Sequence, residues 1–269
     1  MAERRFKIED IEIGSGKPFI IAGPCVVESR DMVFRTAEEI VRVSQKFKIP
    51  AIFKSSYVKA NRQSVNSFST IGIAKALTIL SDVKNEFKLP VITDVHNTGE
   101  VTAAAEIADC LQIPAFLCRQ TDLIQAAAKT GKAINIKKGQ FMAPEGMKEA
   151  ALKAEEVGNS RVMLTERGTT FGYHDLVVDF RSIVVMKSLG YPVIFDSTHS
   201  VQKPGAAGSS SGGAPEFIIP LARAAAAVGV DGIFLETHPD PKSALCDRDC
   251  QLKLDLLEQM IESVLEVWR

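Results

Sequence analysis

Apolar residues in this chain follow one rhythm from position 19 onward. A short continuous apolar run ends in a polar tip, and a longer stretch with helical spacing follows. The runs cover 19–22, 51–53, 91–93, 111–113, 133–136, 162–164, 193–195 and 233–235. The helical patterns between and after them cover about 29–47, 71–87, 100–108, a stretch through 129, 145–157, 180–189, 216–228 and 252–267. Continuous apolar strands suit a parallel sheet buried on both faces. Eight strand–helix units predict an α/β fold, a closed (β/α)8 TIM barrel, as one domain over 1–269. A doubly wound open sheet is the second choice, but Gly23-Pro24-Cys25 lacks the spacing of a dinucleotide loop, so no organic cofactor is expected. Before the rhythm starts, residues 6–13 alternate loosely and stop at Gly14-Ser15-Gly16. They predict a hairpin-like β extension over 1–16.

Composition narrows the function classes. A net charge of −1 and a pI near 6.5 give no bulk basicity for nucleic acid or an anionic membrane, so any anion site is local. No apolar run reaches the roughly 18 residues of a membrane span, and the N-terminus lacks a signal-peptide core. The expected location is cytoplasmic. Five cysteines, an odd and scattered number, do not form a secreted disulfide framework and leave thiols available for a metal.

The polar tips carry the chemistry, because barrel active sites lie at the C-terminal ends of the strands. Residues 50–62 show this best: an apolar run ends in Lys54, and Ser55, Ser56, Lys59, Asn61 and Arg62 follow. With Lys137 and Arg167 from later tips, they predict a pocket for phosphate or carboxylate. Without an anion, Lys54, Lys59, Lys137 and Arg167 would repel one another in a low-dielectric mouth. A second set, Cys25, His199 and Glu236, comes from the first, seventh and eighth strands, with Asp247 from the next loop as a fourth donor. Such mixed donors suit Zn²⁺, Fe²⁺ or a similar divalent ion, while Cys25 alone also reads as a small buried thiol. His199 is alternatively an acid–base group. Cys246 and Cys250 have no partner pair at zinc-finger spacing, and Cys250 reads as structural or exposed. Cys110 and Cys118 read as core thiols, His174 as a surface residue, and His96 and His238 as hydrogen-bonding or reactive groups at strand ends. The loop 203–213, rich in Gly, Ala and Ser, reads as a mobile cover.

Several segments resemble 3-deoxy-D-manno-octulosonate 8-phosphate synthases. They are Ala22-Gly23-Pro24-Cys25, Phe53-Lys54-Ser55-Ser56 with Lys59-Ala60-Asn61-Arg62, the Gln112-Ile113-Pro114 and Arg119-Gln120-Thr121-Asp122 stretches, Asn135 to Phe141, Glu166-Arg167-Gly168, Asp196 to Ser200, and Glu236-Thr237-His238-Pro239. The resemblance implies condensation of phosphoenolpyruvate with arabinose 5-phosphate for lipopolysaccharide synthesis, by a homotetrameric barrel. It implies a divalent metal (Zn, Fe, Mn or similar) on Cys25, His199, Glu236 and Asp247, since metal-free members carry Asn in place of the cysteine. It further implies Lys59, Lys137 and Arg167 as phosphoenolpyruvate contacts, with Lys54, Ser56 and Gln112 nearby. Asn61 and Arg62 fall at the sugar-phosphate end, and Asp94 near the sugar hydroxyls. Cys25, Lys59, His199 and Asp247 are the implied catalytic set. A sister synthase that uses erythrose 4-phosphate carries Lys-Pro-Arg where this chain has Lys-Ala-Asn-Arg, and it is the alternative. A barrel that only binds sugar phosphates is the non-enzymatic one. Val58, Gln63 and Ser69 depart from the usual pattern.

Overall fold

The structure, a computed structural model, describes residues 4–61, 66–205 and 212–268. Eight parallel strands close a barrel: β1 (Phe19–Gly23), β2 (Ala51–Lys54), β3 (Val91–Asp94), β4 (Cys110–Ile113), β5 (Ala133–Lys137), β6 (Val162–Glu166), β7 (Val193–Asp196) and β8 (Gly232–His238). Each strand pairs with the next, and β8 pairs back onto β1 with Gly232 opposite Phe19 and Glu236 opposite Gly23. The open-sheet alternative is thereby excluded. The helices are α1 (Arg30–Phe47), α2 (Ile73–Phe87), α3 (Val101–Ile107), α4 (Thr121–Lys129), α5 (Met147–Glu155), α6 (Arg181–Ser188), α7 (Ile218–Val228) and α8 (Leu257–Leu265).

Side-chain alternation along each strand separates two cores. In β1, Ile20 and Ala22 face the helices, while Phe19 and Ile21 face the barrel interior. The interior cluster continues through Ile52, Ile92, Cys110, Met163, Ile194 and Phe234. Further toward the strand C-termini the inward positions are polar and then ionised, with Gln112, Asn135 and Thr165 hydrogen-bonded together and Lys54, Asp94, Lys137, Asp196 and Glu236 at the tips. At the other end, strands Phe6–Ile8 and Ile11–Ile13 form the expected hairpin, and Ile8, Ile11 and Ile13 plug the apolar layer.

Local signals set the helices. Ser29 caps α1 by accepting from the Met32 N–H at 3.2 Å, and Lys48 ends it in the left-handed region. Val33, Ala37, Ile40 and Val43 lie on its buried stripe. The pattern at 252–267 reads as one helix, but α8 starts five residues later. Leu252–Lys253 instead extends alongside the end of β8, where the Thr237 hydroxyl donates to the Leu252 carbonyl at 2.9 Å. Leu252 and Leu254 are buried, and a short apolar run of this kind does not separate strand from helix by spacing alone. Among the described residues, no helix is long and apolar enough to cross a membrane.

Candidate active site

At the C-terminal mouth lies a cavity of about 530 Å³, lined among others by Lys54, Lys59, Asn61, Asp94, Gln112, Lys137, Arg167, His199, Glu236 and Asp247. Seven of the eight strands, or the loops after them, supply these ten groups. Ser56 is buried behind the wall, and its hydroxyl donates to Asp94. Arg62 and Gln63 lie outside the described residues, as does 206–211 of the expected cover. The base of that loop is a short ribbon, Gln202–Lys203 against Gly212–Gly213. Gly213 approaches the Asp249 carbonyl so closely that a Cβ there would lie 2.1 Å from it. This contact seats the ribbon on the loop after β8.

The barrel closes tightly where the candidate metal donors meet. At Gly23 a Cβ would fall 1.9 Å from the Lys54 carbonyl oxygen, so only glycine lets β1 and β2 run together at their tips. Beyond it the Cys25 carbonyl accepts from the Ser56 N–H at 3.2 Å and from Lys54 Nζ at 3.2 Å. The Cys25 thiol donates to Asp247 Oδ2 at 3.1 Å. Burial pushes this thiol well above its ordinary pKa, reinforced by its hydrogen bond to Cys246. The four expected donors arrive as two overlapping groups. Cys25, Cys246 and Asp247 have donor atoms within 4.8 Å of one another, and so do His199, Glu236 and Asp247.

The geometry of His199 fits a metal ligand. Nδ1 lies 2.7 Å from Asp196 Oδ2, and the His199 N–H donates to Asp196 Oδ1 at 2.9 Å. An Nδ1–H facing Asp196 leaves the Nε2 lone pair directed toward Glu236, whose Oε2 is 3.7 Å away. A carboxylate behind a histidine is the usual outer partner of a metal-binding imidazole. Together with a thiol and two carboxylates, the donor chemistry suits a borderline divalent ion.

The expected mutual repulsion of the cations is corrected by the structure, because carboxylates lie between them. Lys54 Nζ pairs with Glu236 Oε1 at 2.5 Å, and Lys59 Nζ lies 4.0 Å from the same oxygen. Lys137 pairs with Asp196 and lies 3.6 Å over the Phe234 ring. Burial alone would raise the Glu236 pKa, yet Lys54, His199 and Lys59 hold it well below the carboxylate range. Burial and cations compete in the same way at Asp94, where Lys54 and Lys59 prevail, and at Asp196, where His199 and Lys137 do. For Lys59, burial lowers the pKa but its anionic neighbours raise it above normal. For Lys137, burial prevails over Asp196 and the pKa is lowered.

Arg167 differs from the lysines. It is 5% exposed, its Nη2 donates to Gln202 Oε1 at 3.0 Å, and its buried Nη1 has no hydrogen-bond partner among the described residues. An unsatisfied guanidinium N–H beside a cavity is suited to an anionic ligand, since leaving it unpaired is costly.

Asp94, Asp196 and Glu236 also predict the pH response. Their folded pKa values lie below those of the unfolded chain, so the unfolded state binds more protons below about pH 4. Their contribution to stability is therefore present above that pH and is lost as pH falls further. Denaturant midpoints should fall steeply below about pH 4 and change little from pH 5 to 7.

Several residues escaped the sequence reading. Gln202 bridges the two parts of the mouth, touching Arg167 and also Asp247 Oδ1 at 3.4 Å. Cys246 adjoins Cys25 and pairs across the barrel seam, which its spacing from Cys250 did not suggest. Cys250 is buried, as are Cys110 and Cys118. His96 and His238 make local contacts, with Glu100 at 3.2 Å and the Asp240 N–H at 3.0 Å, and His174 is exposed. Two of the departures have clear settings: Ser69 clamps Lys59 through reciprocal bonds of 2.9 and 3.0 Å, and Val58 packs against the outer core. Lys138 is fully buried beneath the Arg167 loop. Its Nζ lies 3.4 Å from Glu166 Oε1, an oxygen that also accepts the Gly168 N–H at 2.7 Å. Lys138→Met would strand a buried carboxylate, and chemical denaturation should show a loss of about 3–5 kcal/mol.

The fold and the mouth together define a (β/α)8 barrel whose C-terminal rim gathers cations beside groups of candidate metal donors. Residues 3–268 match the DAHP synthetase I family, and the chain belongs to that family. Among its relatives is a 2-dehydro-3-deoxyphosphooctonate aldolase of Koribacter versatilis, 54% identical over 97% of this chain and 95% of the relative. Proteins of the same name from Rickettsia felis and Trichlorobacter lovleyi are 52% and 51% identical. They match 95% and 96% of this chain, and 93% and 96% of their own length.

Proposed function

We propose that this enzyme condenses phosphoenolpyruvate with D-arabinose 5-phosphate and water to give 3-deoxy-D-manno-octulosonate 8-phosphate and inorganic phosphate. The relatives' name favours this eight-carbon product over the seven-carbon one. The observation that carries the site assignment is the unpartnered Arg167 Nη1 in the wall of a mouth that also holds Lys59 and Lys137.

In this reading Arg167, Lys59 and Lys137 hold the phosphate and carboxylate of phosphoenolpyruvate. That places its alkene carbon in near-attack geometry toward the aldehyde. A C–C bond forms between those two carbons, the aldehyde oxygen takes a proton, and water adds to the enol carbon. Phosphate then leaves with its bridging oxygen. Asn61 at the mouth, with Arg62 as the resemblance implies, receives the phosphate of the pentose, and Asp94, backed by Ser56 and Gln112, accepts from a sugar hydroxyl. Lys137, the lysine whose pKa burial lowers, sits 3.5 Å from His199 Nδ1 and supplies the proton most readily given up. A divalent ion on Cys25, His199, Glu236 and Asp247 would supply Lewis acidity toward water or the aldehyde. Asp196 keeps His199 oriented for that purpose.

The test is phosphate release from phosphoenolpyruvate with arabinose 5-phosphate and, separately, with erythrose 4-phosphate. Turnover only with the pentose supports the proposal. Preference for the tetrose would reassign the chain to the sister reaction, and binding without release would reduce it to a sugar-phosphate receptor. The proposal includes a cytoplasmic homotetramer made for lipopolysaccharide synthesis. Its free, buried cysteines agree with a reducing compartment, and exposed aromatic rings at Phe116, Phe171 and Tyr173 agree with subunit contacts. Sedimentation would measure the assembly.

A further inference from the structure

We infer that Cys246 is a second sulfur ligand of the divalent ion, so that this chain grips its metal with two thiolates. The inference deepens the metal reading above and rests on it. Cys246 and Cys25 come from opposite sides of the barrel seam, one after β8 and one after β1. They are only 2% and 1% exposed, and their sulfurs lie with an Asp247 oxygen inside a 4.8 Å cluster. Val26 and Phe68 pack with the two cysteines in one small apolar cluster. Asp247 has φ of +48°, a left-handed conformation that is uncommon outside glycine and that turns the chain sharply between Cys246 and the residues after it. That turn directs consecutive side chains, Cys246 and Asp247, into one group of donors.

The consequence is chemical. One thiolate beside histidine and carboxylates leaves a site open to manganese or iron, whereas a second sulfur favours the softer zinc or cadmium. The added negative charge is met locally, because Lys59 lies in the field of both thiols and Lys54 is paired to Glu236. The sequence spacing hid this arrangement: the two cysteines are separated by nearly the whole barrel and meet only through its closure.

The test is zinc K-edge X-ray absorption on protein reconstituted without oxygen. The wild-type chain should show two sulfur donors near about 2.3 Å, and Cys246→Ser and Cys25→Ser one each. In the cobalt-loaded protein, the thiolate charge-transfer band should weaken in either variant and vanish in the double variant. A single sulfur around zinc in the wild-type chain overturns the inference and leaves the proposed reaction standing. Two sulfurs that persist in Cys246→Ser overturn it equally. A chain that binds no zinc removes the metal reading along with it. Because the wild-type spectrum decides by itself, a variant that fails to fold does not rescue the idea.

Discussion

Stripping the divalent ion should abolish phosphate release, and returning zinc, iron or manganese should restore it. The buried thiol of Cys25 is otherwise held neutral by its surroundings, and Glu236 is committed to Lys54. Asp196 fixes His199 with Nε2 toward Glu236, an orientation that serves coordination. The measurement is turnover after chelation and dialysis, followed by titration with each ion. Full activity in protein shown to be free of metal would remove the ion from the reaction. Recovery by a divalent ion should follow its occupancy of the site, not its mere presence in the buffer.

Arg167→Ala should reduce kcat/KM for phosphoenolpyruvate by roughly 10²–10³, the cost of losing one preorganised donor to developing charge. The effect on arabinose 5-phosphate binding should be much smaller. Folding stability gives an independent control. The guanidinium is buried, its pKa is pushed down by that burial despite Asp196, and one of its nitrogens has no partner among the described residues. Its removal should therefore leave the melting temperature unchanged or slightly higher, the result expected of a residue that serves binding at the expense of stability. A large fall in melting temperature together with equal losses for both substrates would instead assign Arg167 to the framework of the mouth.

These two experiments probe features that differ in how far the sequence revealed them. The strand ends Lys54, Asp94, Lys137, Arg167, Asp196 and Glu236 were legible because each closes a continuous apolar run. In a parallel barrel those ends share one rim. Cys25, His199 and Asp247 were candidate donors by the same placement, and motif resemblance added their expected role as one ligand set. Hidden from the sequence was how the charges pair across the mouth. Glu236 takes Lys54 and Asp196 takes Lys137, which turns an expected block of positive charge into an alternating network that leaves Arg167 Nη1 without a partner among the described residues. Gln202 was also missed, because a glutamine in a short ribbon carries no signal until Arg167 and Asp247 are seen on either side of it.

The chain by itself determined the eight-fold repetition, the N-terminal hairpin and the placement of reactive groups at strand tips. Each of these follows from local alternation of apolar and polar residues. Only the tertiary structure decided which charges neutralise one another and which sulfur meets which. The Cys25–Asp247 and Lys54–Glu236 contacts join residues 222 and 182 positions apart, and Lys137 and Asp196 are 59 apart. Local hydrophobic pattern reports which face of an element is buried. It carries no record of distance between elements, and at a metal or anion site distance governs both charge and coordination.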